Sequence, residues 1–201
     1  MKDCLKGVRI LSLALNLPGP GALLRCRDMG AECVKLEPPA SAGTTSADPM
    51  HTYSPHPYDV LHEGIRVLQA NLKTAEGQQA LHTELAQADV LITSFRRSAL
   101  KKLGLDWSVL HERYARLGMV VIVGASGDRA DEVRPASCGP HPGHLAGEGH
   151  LHAVDHLVVR PPALPGRHHH RVAHQAAACL GAERVDQAGV VVARDRVQAG
   201  A

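Results

Sequence analysis

The chain has 201 residues, 44% of them apolar, and a formal net charge of +2, which is enough for one domain with a buried core. Charges of both signs are interspersed, and this argues against the basic face that nucleic-acid binding requires. The apolar runs are too interrupted to cross a membrane, and the first residues lack the pattern of a secretory signal. We therefore expect a soluble, cytoplasmic protein that binds neither nucleic acid nor membrane.

The first predicted elements are a strand, a helix and a second strand. Residues 8–15 are mostly apolar and lie between Gly7 and a Pro-Gly-Pro-Gly segment, which predicts a strand buried on both faces. A helix is predicted from just after these prolines to Gly30, because glycine ends helices readily in a left-handed conformation. The second strand is predicted over residues 32–37.

The middle of the chain predicts a long loop followed by three elements. Residues 38–60 are rich in Pro, Ser, Thr and Gly, and a loop of this length is usually functional or mobile. Residues 65–72 predict a third strand. Thr74 can cap a helix over residues 75–88, whose apolar residues recur at helical spacing. Residues 89–95 predict a fourth strand.

Two helices and a fifth strand complete the ordered pattern. The helices are predicted over residues 98–103 and, capped by Asp106, over 107–116, and the strand is predicted over 118–124. Because strands and helices alternate, we predict an α/β fold with a mostly parallel sheet, right-handed crossovers and helices on both faces.

The composition changes in the C-terminal part of the chain. All Phe, Trp and Tyr residues lie at or before Tyr114, the last Lys is Lys102, and nine of the 14 His lie at or after His141. A GC-rich gene read in a shifted frame would produce such a tail, and so would a natural, disordered low-complexity segment. We therefore divide the chain into an N-terminal α/β domain, residues 1–131, and an irregular tail rich in Pro, His and Arg, residues 132–201.

The first strand, turn and helix invite comparison with a dinucleotide-binding motif. Glu37 at the end of the second strand could hold a ribose. However, Leu24 occupies the third glycine position, and Pro20 removes an N–H from the turn that should hold the pyrophosphate. The pattern therefore argues against nicotinamide binding.

Three segments, in this order and spacing, resemble the N-terminal half of the class III CoA-transferases, a group that includes the alpha-methylacyl-CoA racemases. They are "GVRILSLALNLPGPGALLRCRDMGAECVKLEPP", "GIRVLQANLKTAEGQQAL" and "LAQADVLITSFRRSALKKLGLDWSVL". The resemblance covers roughly residues 4–127. It implies a Rossmann-like domain, with CoA lying across the carboxyl ends of the strands. Family members are longer than this chain, which predicts a truncated member.

The resemblance also implies the partners of the protein. Acyl-CoA and a carboxylic acid would be its substrates, so CoA enters as a substrate and no prosthetic group is expected. Family members form an interlocked homodimer. That dimer depends on segments that are missing here, so we leave dimerisation open.

Seven residues match positions that the resemblance assigns to CoA binding: Leu17, Pro18, Arg66, Ser94, Phe95, Arg96 and Lys102. We expect the strand tips near Leu17, Arg66 and Phe95 to Arg96 to converge on one cradle. Cations would bind the phosphates, and an apolar surface would support the adenine. These residues could also have purely structural roles, as part of a helix-entry turn, as a core side chain or as a solvated charge. Two contacts are weakened, because Ile65 replaces a usual lysine and Pro38 stands where some transferases have arginine.

The catalytic segment of the family is not recognisable. Transferases carry a Gly-His-Asp segment whose aspartate attacks the thioester, whereas racemases move a proton with a His and an Asp. The nearest match is Gly143-His144-Leu145, and leucine is neither a nucleophile nor a base. We therefore assign no catalytic residue. We expect a CoA-transferase family member with impaired activity, a racemase-like protein or a non-catalytic remnant.

The tail contains histidine motifs, but they do not predict a metal centre. The motifs are H-x-x-H from His141, H-x-H from His150, and a triplet over residues 168–170. Adventitious metal binding is plausible there, whereas a designed site needs fixed geometry and supporting contacts. The five cysteines are odd in number and never form C-x-x-C, which favours reduced thiols.

Overall fold

A computed structural model describes residues 3–123 and 156–160. Six strands form one sheet in the order β3-β2-β1-β4-β5-β6. The strands are β1 Arg9–Ser12, β2 Glu32–Glu37, β3 Arg66–Gln69, β4 Val90–Thr93, β5 Gly118–Val123 and β6 His156–Arg160. The helices are α1 Pro18–Asp28, α2 Pro49–Tyr53, α3 Pro55–His62, α4 Ala75–Leu85, α5 Arg97–Lys102 and α6 Trp107–Arg113.

The first five strands are parallel, and only β6 runs antiparallel to its neighbour β5. Ile10 at the centre of the sheet is paired with Cys33 on one side and with Val90 on the other. The predicted α/β fold with a mostly parallel sheet is therefore confirmed. The strand β6 falls within the tail and was not predicted.

Apolar side chains alternate between the two faces of the sheet, and each face carries its own helices. On one face Ile10 packs with Leu23 and Cys26 of α1. On the other face Leu11 packs in a cluster with buried leucines of α4, α5 and α6, namely Leu81, Leu85, Leu100 and Leu110. Burial on both sides explains why the central strands are continuous apolar runs.

The prediction of a long loop over residues 38–60 is wrong, because this segment contains the helices α2 and α3. Each helix has a proline in its first turn, where the missing N–H costs no hydrogen bond. Asp48 caps α2 by accepting a hydrogen bond from the N–H of Met50 at 2.9 Å. The sequence contained these start signals, but the high proline content obscured them.

Of the two helix caps predicted from the sequence, Thr74 forms its capping hydrogen bond and Asp106 does not. Thr74 accepts a hydrogen bond from the N–H of Gly77 at 3.2 Å, as predicted for the start of α4. Asp106 is the N-cap residue of α6, although its side chain makes no capping hydrogen bond there. Over residues 3–123 and 156–160, no helix has both the length and the apolar character needed to span a bilayer.

Candidate functional site at the carboxyl edge of the sheet

The carboxyl edge of the parallel sheet has a topological switch between β1 and β4. The chain leaves β1 towards β2 on one side, whereas β4 lies on the other, and ligands of open α/β sheets bind at such points. The two strands continue side by side beyond the ladder, because Leu13 N–H donates to the carbonyl of Ile92 at 2.8 Å and Leu15 N–H to Ser94 Oγ at 3.4 Å. The structure thus brings the β1–α1 turn and the segment after β4 together.

Leu17 and Pro18 lie at the start of α1, directly after this turn, and both are half-buried. The helix starts very close to β1. A Cβ on Gly19 would lie 2.4 Å from the Cβ of Ala14, so only glycine allows this approach. The glycine explains why the helix begins at the edge itself.

Ser94, Phe95 and Arg96 form the segment between β4 and α5. Ser94 is half-buried, and Arg96 is the exposed N-cap residue of α5. Phe95 packs against the apolar cluster beneath α4, α5 and α6. Its ring is only half-buried, so it can serve the core and still present a surface at the edge.

Arg66 does not join these residues, and the expectation that it lies at the same cradle is wrong. It is the first residue of β3, so it lies at the amino edge of the parallel sheet. Its guanidinium donates to both carboxylate oxygens of Glu84, at 2.8 and 2.9 Å. Arg9, at the start of β1, binds the same carboxylate at 3.0 Å. This arginine is therefore engaged at the opposite edge.

Lys102 lies in a cavity of about 520 Å³ between the start of α4 and the end of α5. The lining combines apolar side chains with two exposed lysines, and its members are Leu72, Lys73, Thr74, Ala75, Gln78, Ala99, Lys102 and Leu103. The first turn of α4 adds backbone N–H groups and the positive end of the helix dipole. The cavity can therefore accept a phosphorylated group beside a flat apolar one.

The sequence analysis missed Lys73 and Gln78. Lys73 follows a parallel strand and precedes a capped helix, which is the position where a phosphate-binding residue is expected. Gln78 joins the two walls of the cavity, because its Nε2 donates to the carbonyl of Leu72 at 2.6 Å and to that of Leu103 at 3.3 Å. No local pattern reveals the second contact, since it joins residues far apart in sequence.

A buried ionic cluster, formed by Lys35, Glu37, Asp48, Tyr58 and His62, supports the carboxyl end of β2. The ammonium of Lys35 is fully buried and lies 2.5 Å from Asp48, 3.2 Å from Glu37 and 3.0 Å from His62 Nε2. Tyr58 donates its hydroxyl to Glu37 at 3.0 Å. Asp48 and His62 accept hydrogen bonds from the ammonium, and Glu37 adds a second negative charge beside it, which compensates for such deep burial.

The cluster holds its members in defined protonation states. Burial lowers the pKa of His62, and the charge of Lys35 lowers it further, whereas the hydrogen bond to the Tyr58 carbonyl opposes this. Burial would raise the pKa of Asp48, but the hydrogen bond from Lys35 and the N–H donors of Met50 and Asn16 hold it below its usual value. The neutral imidazole therefore accepts from Lys35 through Nε2 while its Nδ1–H faces the Tyr58 carbonyl at 2.6 Å.

The strand order, with five parallel strands and helices on both faces, defines a Rossmann-like α/β domain. The sequence matches CoA-transferase family III over residues 5–136, and the chain belongs to that family. This range is close to the residues 4–127 over which the sequence resembles the family.

Two curated relatives and one solved structure illustrate the similarity. The chain is 34% identical over 123 residues to the cinnamoyl-CoA:phenyllactate CoA-transferase of Clostridium sporogenes, covering 59% of this chain and 30% of the relative. It is 36% identical over 118 residues to the succinate–glutarate CoA-transferase of Agrobacterium fabrum, covering 54% and 29%. A CAIB/BAIF family protein from Brucella suis superimposes with a TM-score of 0.55 at 27% identity, covering 65% of this chain and 36% of that one.

The chain spans about a third of the length of the curated relatives it matches. The segment Gly143-His144-Leu145 and the histidine motifs of the tail lie outside the described residues. The candidate site described above therefore lies within residues 5–136, the part of the chain that matches the family.

Proposed function

We propose that this chain binds CoA or an acyl-CoA thioester at the carboxyl edge of its sheet, as the CoA-binding part of a CoA-transferase. The observation that carries the proposal is the cavity lined by Lys73, Lys102 and the first turn of α4. The membership of the chain in CoA-transferase family III supports the proposal.

The cavity suits the nucleotide end of CoA. Phosphate groups would meet the ammonium groups of Lys73 and Lys102 and the positive end of the α4 dipole. Adenine is flat and largely apolar on its faces, so it would lie on the wall made by Leu72 and Leu103. Both walls are tied together by Gln78, which keeps the cavity open before the ligand arrives.

The pantetheine arm would extend from the cavity to the switch point between β1 and β4. Leu17, Pro18 and the segment from Ser94 to Arg96 line this part of the edge, and the half-buried apolar surfaces of Leu17 and Phe95 suit an uncharged arm. Arg66 has no part in the proposal, because it lies at the opposite edge of the sheet.

The parent reaction is proposed to be transfer of CoA between carboxylic acids. The two curated relatives described above are named as CoA-transferases, which favours transfer over racemisation. In this chain Leu145 replaces the aspartate that would attack the thioester, so we propose that the chain binds CoA without transferring it.

Calorimetric titration with CoA and its two halves tests the binding site. We expect CoA and adenosine 3′,5′-diphosphate to bind, and pantetheine alone to bind much more weakly, because the cationic cavity recognises the phosphates. Binding should weaken as salt is added, since both lysines are exposed and their charges are screened. Equal affinity for pantetheine and CoA, or no affinity for CoA, would contradict the proposal.

Mass spectrometry tests the proposed lack of transfer. After incubation with an acyl-CoA and a carboxylic acid, we expect no new thioester and no CoA bound covalently to the chain. A chain whose mass increases by that of CoA less one water, as a thioester on a carboxyl group requires, would show that another carboxylate attacks the thioester, and the proposed loss of catalysis would be wrong.

A further inference from the structure

Asn16 is the residue at which the β1–α1 turn changes direction, and it has an uncommon backbone conformation. Its φ is +64°, in the left-handed region that non-glycine residues adopt rarely. Asparagine is among the residues that tolerate this region best. The next residue is Leu17, so the geometry of Asn16 determines where the start of α1 lies relative to the edge.

Two residues of the segment between β2 and α3 bind Asn16, one at its backbone and one at its side chain. Asp48 Oδ1 accepts a hydrogen bond from the Asn16 N–H at 3.0 Å. Tyr53 donates its hydroxyl to Asn16 Oδ1 at 3.0 Å. We call these three residues the Asn16 clamp.

The two arms of the Asn16 clamp differ in rigidity. Asp48 is fully buried, caps α2 and is held by Lys35 at 2.5 Å, so it is a fixed anchor. Tyr53 is 60% exposed, and its ring therefore contributes little to the core. The Tyr53 hydroxyl can be removed without disturbing the buried cluster.

We propose that the Asn16 clamp positions Leu17 and Pro18 for contact with the pantetheine arm of CoA. This inference rests on the proposed function. Asn16, Asp48 and Tyr53 act through the turn rather than by touching the ligand, so they are positioning residues. The left-handed conformation costs free energy, and the two hydrogen bonds hold the turn in the conformation that brings α1 to the edge.

The test compares Tyr53→Phe and Asn16→Gly with the unmodified chain. Tyr53→Phe removes only the hydroxyl, and Asn16→Gly keeps both the N–H and the left-handed backbone while losing the side chain. Each variant should weaken CoA binding about two- to tenfold. The double variant should lose no more than the larger single effect, because both substitutions remove the same hydrogen bond.

Binding of adenosine 3′,5′-diphosphate distinguishes a role in positioning the pantetheine arm from general damage to the fold. Its affinity should stay unchanged in both variants, because this ligand lacks the pantetheine arm, and the thermal midpoint of Tyr53→Phe should also stay unchanged. Thr45→Val is the matched control, since it removes the hydrogen bond between Thr45 and His51 in the same segment without touching Asn16.

The outcomes separate this inference from the proposed function. If the unmodified chain binds neither CoA nor the diphosphate, the proposed function is overturned, and the clamp with it. If the unmodified chain binds CoA but the variants bind it equally well, or lose CoA and diphosphate affinity together, only the positioning role is overturned.

Discussion

At the scale of single residues, Lys35 is a fully buried cation that needs compensating partners. Its fully buried ammonium is surrounded by two carboxylates, a neutral imidazole and the ring of Tyr58, whose centroid lies 4.7 Å away. Burial of such a charge is tolerated only when every donor has an acceptor. The lysine and the two carboxylates can therefore remain buried only while they compensate one another's charge.

We predict that Lys35→Met destabilises the fold by about 3–5 kcal/mol, because it leaves Glu37 and Asp48 buried without a cation. Urea unfolding monitored by circular dichroism would measure the change. Lys6→Met, at an exposed position, is the control and should change the stability little. A loss below about 1 kcal/mol for Lys35→Met would contradict the assigned dependence.

The lowered pKa of His62 predicts a dependence of stability on pH. As the pH is lowered below the ordinary pKa of 6.5, the unfolded chain gains a proton at this site that the folded chain does not. The free energy of unfolding therefore decreases as the pH is lowered. Asp48 acts in a lower window, because its lowered pKa contributes stability that is lost only as pH falls through the folded value. The two groups can thus be distinguished by pH.

His62→Gln isolates the histidine contribution, since glutamine can accept from Lys35 but does not titrate. As the pH is lowered from about 6.5 to 5, we expect the stability of this variant to fall less steeply than that of the unmodified chain. The difference between the two slopes should be at most about 1.4 kcal/mol per pH unit. His82 also has a pKa lowered by burial and by Arg113, so His82→Gln measures the separate contribution of that histidine. Identical slopes for the unmodified chain and His62→Gln would contradict the prediction.

At this scale the sequence analysis named some residues of the candidate site from the family pattern and did not name others. Lys102 was predicted from the family pattern, and the structure places it in the cavity. Arg66 was also predicted, but its partner Glu84 belongs to another element, and no local pattern reveals that pair. The cluster around Lys35 was missed for the same reason, because its members come from β2, α3 and the segment between them.

At the scale of elements, two helical glycines have opposite surroundings. A Cβ on Gly77 in α4 would lie 1.9 Å from the carbonyl oxygen of Asn71, whereas a Cβ on Gly21 in α1 would have no atom within 4 Å. The close contact at Gly77 holds the first turn of α4 against the segment that leads to Lys73. Glycine here serves the shape of the cavity rather than flexibility.

We therefore predict opposite effects for two substitutions of the same type. Gly21→Ala should stabilise the chain by about 0.5–1 kcal/mol, because alanine favours a helix more than glycine does. Gly77→Ala should destabilise it by about 1–3 kcal/mol through overpacking, and should weaken CoA binding. Thermal unfolding measures both, and stabilisation by Gly77→Ala would show that the contact is not as close as described.

The elements that the sequence predicted well are those with a clear period or cap. The five parallel strands and α4 follow from apolar runs and from Thr74. The helices α2 and α3 were missed because each spans few residues and begins at a proline within a proline-rich segment. The first strand was predicted too long, because Leu13 and Ala14 are buried beyond the end of the ladder.

At the scale of the whole molecule, the parallel sheet organises the candidate site. Its carboxyl edge collects Leu17, Ser94, Phe95 and the cavity, whereas its amino edge collects Arg9, Arg66 and Glu84 in a network of ion pairs. Among the described residues, the arginines of the amino edge are thus engaged in ion pairs, whereas the carboxyl edge holds the candidate site. The sequence predicted the sheet and placed Leu17 and Ser94 at its carboxyl edge, but it assigned Arg66 to the wrong edge.

The change of composition after residue 131 leads to a prediction about the gene. If the reading frame shifts there, the neighbouring frame of the coding DNA should encode a Gly-His-Asp segment followed by elements containing aromatic residues and Ile. Sequencing of the coding DNA provides the measurement. A neighbouring frame without these features would contradict the frame-shift explanation and favour a natural low-complexity tail.

The central claim, that the cavity between α4 and α5 holds the phosphates of CoA, is tested most directly by one calorimetric comparison. Lys102→Ala and Lys101→Ala remove the same charge from adjacent residues of α5, but only Lys102 lines the cavity. We predict that Lys102→Ala weakens CoA binding about tenfold, through a lost charge-assisted hydrogen bond, while Lys101→Ala leaves it nearly unchanged. Equal effects of the two substitutions, or none from either, would contradict the claim.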